Sequence, residues 1–125
     1  MIIGTGIDIV EIARFRKILS SETRDRFLKR VFTCEERRFC LRHRDPAPHF
    51  AARFAAKEAV FKALGTGCAG GMTFPDVEVY RQEQTAPAIR LYGETSRLSA
   101  TKGVRQIHLS LTHTENWAAA TAILE

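Results

Sequence analysis

The amino-acid sequence predicts an α+β fold, and three observations carry that expectation. The chain opens on an alternating, strand-like run over residues 2–10. A long segment of helical periodicity, residues 48–64, bears its apolar side chains on two separate arcs. The second half holds two pairs of short β-prone runs, 76–80 with 88–92 and 106–113 with 117–124, around a helix-like stretch at 93–101. In chain order these read β-α-α-α-β-β-α-β-β, with a further short helix over about 24–29 treated as optional. Helices cluster and strands cluster, the arrangement of an α+β domain. At 125 residues the chain is expected to form a single domain over 1–125.

In the opening run, Ile3, Thr5, Ile7 and Ile9 fall on one face, and Ile2, Gly4, Gly6 and Asp8 on the other. Two glycines on one face clear a track that another backbone or a ligand can approach closely. Asp8 stands at the end of that track, where room for an ion or ligand is expected beside its carboxylate. Residues 11–19 follow with Ile12, Phe15, Ile18 and Leu19 as a helical stripe. Thr33 and Glu36 have the spacing of a capping box, which starts a helix ending near Leu41. Residues 42–48 form a charged, proline-containing loop.

The long helix comes next, with Pro48 near its start and Gly65 just past its end. At 100° per residue, Ala55, Ala56, Ala59, Val60 and Ala63 share one arc, while Phe54 and Phe61 form another. A helix apolar on two sides is expected to be buried on both, with the alanine arc admitting a close neighbour. Glu58 borders that arc. Residues 65–71 form a glycine-rich loop, and residues 81–87 connect the first strand pair as a hairpin.

Composition narrows the function classes. Hydrophobic residues make up 45% and charged residues 26% of the chain, as in globular proteins generally. No apolar run approaches the roughly 20 residues that span a bilayer, and the N-terminus lacks a basic signal-peptide region, so the expected location is the cytoplasm with no membrane association. Cys34, Cys40 and Cys68 are odd in number and make no C-x-x-C pair, which fits free thiols. The formal net charge of +5, with arginines concentrated in the first half, points to an anionic partner: nucleic acid, a phosphorylated cofactor or an acidic protein.

Asp8 and Glu58 are the informative pair. Each carboxylate is set among apolar residues, where an ionised group needs a partner. Magnesium commonly takes one or two carboxylates and completes its octahedron with water and phosphate oxygens, so Asp8 and Glu58 suit a metal–phosphate site. Lys62, one turn beyond Glu58, can act on phosphate as a point charge, although Glu58 and Lys62 also have the spacing of an ordinary helix ion pair. The lysine precedes the glycines, the reverse of a P-loop, but the glycine loop can still offer backbone N–H groups to phosphate. Ser110 and His113 fall on opposite faces of a strand and lack a nucleophile elbow, so a Ser–His hydrolase is not supported. His43, His49 and His108 show no metal-ligand spacing.

Gly6-Ile7-Asp8, followed at a distance by Phe54-Ala55-Ala56-Lys57-Glu58-Ala59-Val60-Phe61-Lys62, resembles the paired signature of the 4′-phosphopantetheinyl transferases. The short length is similar to the bacterial holo-[acyl-carrier-protein] synthase type. The resemblance extends through Phe32-Thr33 with Glu36, Gly65-Thr66-Gly67, the strand Asp76-Val77-Glu78-Val79, and Ser110-Leu111-Thr112-His113-Thr114. Phe74 stands where relatives often carry tryptophan. The resemblance implies an antiparallel sheet packed against a long central helix with shorter helices. It implies transfer of the phosphopantetheine arm of coenzyme A to a serine of an acyl carrier protein, with release of adenosine 3′,5′-bisphosphate. It further implies Mg²⁺ held by Asp8 and Glu58 against the coenzyme A pyrophosphate, and charge neutralisation by Lys62. Lys57, Gly65, Thr66, Gly67 and His113, with Arg53 as an additional candidate, would line the coenzyme pocket. Arg14, Arg26 and Arg30 match positions that meet the acidic carrier, and family members are trimers with sites between subunits. Because the attacking serine belongs to the partner, no nucleophile is needed in this chain. Glu58, directly or through a water, and His113 remain the two candidate acceptors of its proton. Two rival functions use the same residues: a Mg²⁺-dependent phosphohydrolase, and a small basic nucleic-acid-binding module. Against the latter, Phe15, Phe27, Phe39 and Phe54 sit at core spacing rather than interleaved on an exposed basic sheet.

Overall fold

The computed structural model describes residues 1–81 and 84–125. Its elements are β1 (Gly4–Glu11), α1 (Ile12–Leu19), α2 (Arg24–Val31), α3 (Cys34–Leu41), α4 (Ala47–Leu64), a 3₁₀ turn (Phe74–Asp76), β2 (Val77–Tyr80), β3 (Ala88–Leu91), α5 (Gly93–Thr101), β4 (Ile107–His113) and β5 (Trp117–Leu124). The architecture is α+β, as the sequence predicts. The optional segment at 24–29 is a full eight-residue helix. Positions 82 and 83 of the expected hairpin connection lie outside the described residues. Among the described residues, no helix is long and apolar enough to cross a membrane.

Strands β1, β5 and β4 form one antiparallel sheet in that order, and β2 pairs with β3 in a second. Helix α4 lies across the three-stranded sheet. Register places Gly6, Ala122 and Leu109 in one row, and Asp8, Ala120 and Leu111 in the next. Small residues dominate these rows because the helix sits almost on the backbone. A Cβ on Gly4 would lie 2.0 Å from the Ala63 carbonyl oxygen, and one on Gly6 would lie 1.9 Å from that of Ala59. The glycine track is therefore filled by α4, which corrects the expectation that it leaves room for an ion or ligand. The alanine arc of α4 accepts this approach, as its sequence predicts: Ala55, Ala56 and Ala59 are fully buried. Nearly every side chain of α4 is buried, and Gly65 ends the helix in the left-handed conformation at φ 80°.

The second arc of α4 builds the aromatic core. Phe54 packs on Phe15 and on Phe74, and Phe61 meets Phe74 edge-on. Phe15 also touches Phe27 and Phe32, so α1 and α2 are fastened to α4 through rings. Helix α3 begins with the predicted capping box: the Glu36 amide donates to Thr33 Oγ1 at 3.2 Å and the Thr33 amide to Glu36 Oε1 at 2.9 Å.

The other face of the three-stranded sheet is bare. The isoleucines of β1 point away from the core, leaving Ile7 66% and Ile9 61% exposed, with Trp117 of β5 47% exposed. The most hydrophobic face of the first strand is thus the outer one, because the inner face is occupied by glycines beneath a helix backbone.

Candidate active site

Asp8 and Glu58 reach the same place from β1 and α4. Glu58 is half-buried, and its carboxyl is pushed upward from the usual range by burial first and by the charge of Asp8 second; Lys62 and Arg14 oppose the shift. A half-buried carboxyl raised by a neighbouring acid's charge is the electrostatic setting that a bound cation relieves. The Glu58–Lys62 helix pair that the spacing allows is displaced by another partner for Lys62. Lys62 Nζ donates to Asp8 Oδ1 at 2.9 Å and to the Ile7 carbonyl at 2.9 Å, tying the helix to the open edge of β1. No cluster of three or more His, Cys, Asp or Glu side chains poised for a metal occurs among the described residues. A two-carboxylate site completed by water and phosphate oxygens is what magnesium uses, so the donor set fits Mg²⁺ and does not fit an all-protein cage.

The glycine loop adjoins this pair. Gly65, Thr66 and Gly67 are exposed. The charge of Glu58 is felt at Cys68, whose thiol is pushed up by burial first and by Glu58 and Asp76 next. All three cysteines are free. Arg14, exposed on α1, sits with its guanidinium carbon 5.2 Å from the centre of the Phe54 ring, on the side from which Glu58 senses it. Arg26 and Arg30, exposed on α2, flank a cleft of about 260 Å³ with Thr23 and Phe27.

Lys57 belongs to neither group. It is completely buried, and its ammonium donates to Glu36 Oε1 at 2.8 Å, to the Phe74 carbonyl at 3.0 Å and to the Val77 carbonyl at 2.5 Å. All three protons are engaged inside the protein, so the expectation that Lys57 lines the coenzyme pocket is corrected: the arc on which it lies faces β2 and α3. Burial pushes its pKa down, and Glu36 opposes that shift.

His113 and Arg53 lie elsewhere. They line a second cavity of about 320 Å³ together with His43, His49 and the Leu109–Thr112 stretch. His43 and His49 are stacked at 3.6 Å between ring centres, and His113 meets His49 edge-on at 5.9 Å. Arg53 is 4% exposed, its guanidinium carbon 3.9 Å from the Phe39 ring centre, and its Nε has no hydrogen-bond partner among the described residues. From His49 to Glu58 is nine residues of helix, roughly 13 Å at 1.5 Å per residue. The candidate residues therefore fall into two groups, Asp8, Glu58 and Lys62 in one and Arg53 with His113 in the other, with Arg53 five residues, roughly 7.5 Å of rise, before Glu58 on α4. The histidine grouping has no sequence signal, because His43 and His49 flank a loop and His113 arrives from β4.

Burial, and then the charges of His43, Arg53 and His113, push His49 from its ordinary 6.5 down to about 4, with Asp45 opposing. A histidine held neutral in the fold protonates more readily when unfolded. Its contribution is present above about pH 6.5 and is lost as pH falls toward about 4. The thermal midpoint is expected to drop across that window, and to drop less in His49→Gln.

A family model described as the 4′-phosphopantetheinyl transferase superfamily matches residues 4–122. The chain is 46% identical over 125 residues to the holo-[acyl-carrier-protein] synthase of Koribacter versatilis, covering 100% of this chain and 99% of that protein. The crystal structure of the synthase from Neisseria meningitidis superposes with a TM-score of 0.89 at 30% identity, over 100% of this chain and 99% of that one. The Helicobacter pylori synthase, solved in complex with coenzyme A, superposes at 0.84 with 30% identity, over 97% and 99%.

Proposed function

Because the chain belongs to the 4′-phosphopantetheinyl transferase superfamily, we propose that it is a holo-[acyl-carrier-protein] synthase. It transfers the 4′-phosphopantetheine arm of coenzyme A to a serine of an apo-acyl carrier protein and releases adenosine 3′,5′-bisphosphate. The observation that carries the reading is the convergence of Asp8 and Glu58, with Lys62 bridging to Asp8, on a chain similar over its length to proteins of that name.

Asp8 and Glu58 would hold Mg²⁺, whose charge would stabilise the diphosphate as the bond to phosphorus breaks. Lys62 is exposed and tethered beside Asp8, placed to neutralise phosphate oxygens. Gly65, Thr66 and Gly67 are exposed and would line the coenzyme pocket; the Gly65 and Thr66 amides are engaged by the Phe61 and Lys62 carbonyls at the end of α4, which leaves the Gly67 amide as the donor the loop would offer to phosphate. Glu58 is the proton acceptor best supported, because burial and Asp8 raise its proton affinity and a base works best with a pKa near the operating pH. His113 stands in the other group, with Arg53, as part of the coenzyme pocket.

The histidine cluster around His113, which includes His49 some 13 Å of helix rise from Glu58, would join the Asp8–Glu58 site if it came from a neighbouring subunit. The bare outer face bearing Ile7, Ile9 and Trp117 is the kind of apolar surface that a subunit interface covers, which supports a homotrimer with sites between subunits. Arg14, Arg26 and Arg30, all exposed on neighbouring helices, would receive the acidic carrier. The setting is the cytoplasm, with the transferase domain spanning 1–125.

The test is direct: incubate the protein with coenzyme A, Mg²⁺ and apo carrier protein, and weigh the carrier by mass spectrometry. A phosphopantetheine-sized gain, lost when magnesium is chelated, is expected. No gain across several carriers overturns the proposal.

A further inference from the structure

We propose that the buried Lys57–Glu36 pair is a positioning device for the glycine loop, residues 65–73, rather than a coenzyme ligand; this rests on the synthase reading above. The loop leaves α4 at Gly65 and ends at the 3₁₀ turn of Phe74–Asp76. Lys57 rides on α4, eight residues before the loop begins, and grips both ends of that turn through the Phe74 and Val77 carbonyls. Both anchors of the loop are thereby fixed to one helix.

Apart from Met72, which packs against the core near the loop's end, the loop has little else to shape it. Its hydrogen bonds are local: the Ala69 amide donates to Gly67, the Met72 amide to Ala69, the Cys68 thiol to Met72, and the Thr66 hydroxyl to Gly67. Residues 65–71 are exposed. Bonds that leave the loop do so at its two ends, from the Gly65 and Thr66 amides to the last turn of α4 and between Thr73 and Asp76, and a glycine-rich segment held in this way takes its conformation from where its ends are placed.

Glu36 makes the grip possible. Its Oε1 accepts from Lys57 and from the Thr33 amide, and its Oε2 accepts from the Val79 amide at 2.9 Å. The carboxylate is satisfied by three donors and keeps the buried ammonium charged, which a lone lysine in that position would not remain. One side-chain pair thus joins the start of α3, the middle of α4 and the start of β2. Lys57 also precedes Glu58 directly, so whatever fixes the helix against β2 fixes the rotation of Glu58 about the helix axis.

The experiment uses the full chain and three proteins: wild type, Glu36→Gln/Lys57→Met, and Glu36→Gln/Lys57→Gln. The first variant removes both charges together, so that neither member of the pair is left as an unpaired buried ion, and also removes the donors to Phe74 and Val77. The second retains an amide donor. Folding is checked by circular dichroism and thermal melting; coenzyme A affinity is measured by calorimetry, and KM for coenzyme A and for the carrier are measured separately. The methionine variant is expected to fold and to raise the dissociation constant and KM for coenzyme A by about tenfold, with a much smaller change in KM for the carrier, and the glutamine variant to recover part of that loss. Equal changes in both KM values, an unchanged coenzyme A affinity, or failure of both variants to fold would each overturn the inference. Wild type that neither binds coenzyme A nor modifies the carrier overturns the synthase reading itself, and this inference with it.

Discussion

Gly6→Ala is expected to abolish stable folding. The added methyl would stand 1.9 Å from the Ala59 carbonyl oxygen, 2.8 Å from its carbon and 2.9 Å from the Ala63 nitrogen. These are helix backbone atoms, and no side-chain rotation relieves the clash. Helix α4 would have to lift off the sheet, opening the contact of Ala55, Ala59 and Ala63 with β1 and β5 along its length. Overpacking of an ordinary core costs about 1–3 kcal/mol. A clash between two backbones that cannot yield belongs above that, at about 4 kcal/mol or more. The total stability of a domain is roughly 5–15 kcal/mol, so the variant should melt far below wild type or be recovered unfolded. Circular dichroism and a urea titration of the two proteins decide it; a midpoint within about 1 kcal/mol of wild type would mean that α4 is not seated on β1 as described. The same substitution reaches the candidate site, because Asp8 is one row along from Gly6 on the same inner face.

Glu58→Gln should show the opposite pattern, with a large loss of activity and none of stability. If Glu58 holds Mg²⁺ and accepts the serine proton, removing its charge should lower kcat/KM by about 10²–10³, the usual cost of losing a preorganised electrostatic group. Full turnover at saturating Mg²⁺ would remove Glu58 from the mechanism. Stability should move the other way. Burial and the Asp8 charge raise the folded-state pKa of Glu58. Its favourable contribution is therefore present below the pKa of the unfolded chain and is lost as pH rises through the folded value. Near neutral pH, without metal, the ionised carboxylate is a burden that glutamine does not carry. Wild type should be no more stable than Glu58→Gln there, and the two should converge on acidification. Thermal melts at several pH values in the presence of a chelator measure this. A carboxylate that costs stability while serving chemistry is the mark of a functional site.

Lys62 ties these expectations together. It donates to Asp8 Oδ1 at 2.9 Å, and phosphate is the other partner its charge suits. The sequence spacing favours a Glu58–Lys62 pair, yet the fold turns the ammonium to the strand edge. Helical spacing reports only which residues are near along one element. The competing partner came from β1, and only the seating of α4 on the glycines brings it close enough to win.

Local features were legible because they depend on neighbours in sequence. Thr33 and Glu36 make their capping box within one turn, Gly65 ends α4 where left-handed geometry is needed, and the two alanine and phenylalanine arcs state in advance that α4 is covered on both sides. The pairing of Asp8 with Glu58 was legible through their apolar settings and through the family signature, neither of which measures a distance. Glu36 as the counter-ion of Lys57 was invisible: 21 residues separate them, and nothing in either segment tells how α3 lies against α4. The exposed isoleucines of β1 reversed the usual reading of an apolar strand face, since the helix needed the glycine face more.

By itself, then, the sequence determined the α+β class, the helix boundaries to within a residue or two, the close-packed alanine arc and the acids worth attention, because propensity, capping and periodicity act over a few residues. Tertiary structure alone decided that Lys57 is interior while Lys62 is at the surface, that Asp8 takes Lys62 as its partner, and that the histidines gather toward the start of α4. Those outcomes follow from which face of one helix meets a glycine track, a contact between segments roughly 50 residues apart whose geometry no local pattern encodes.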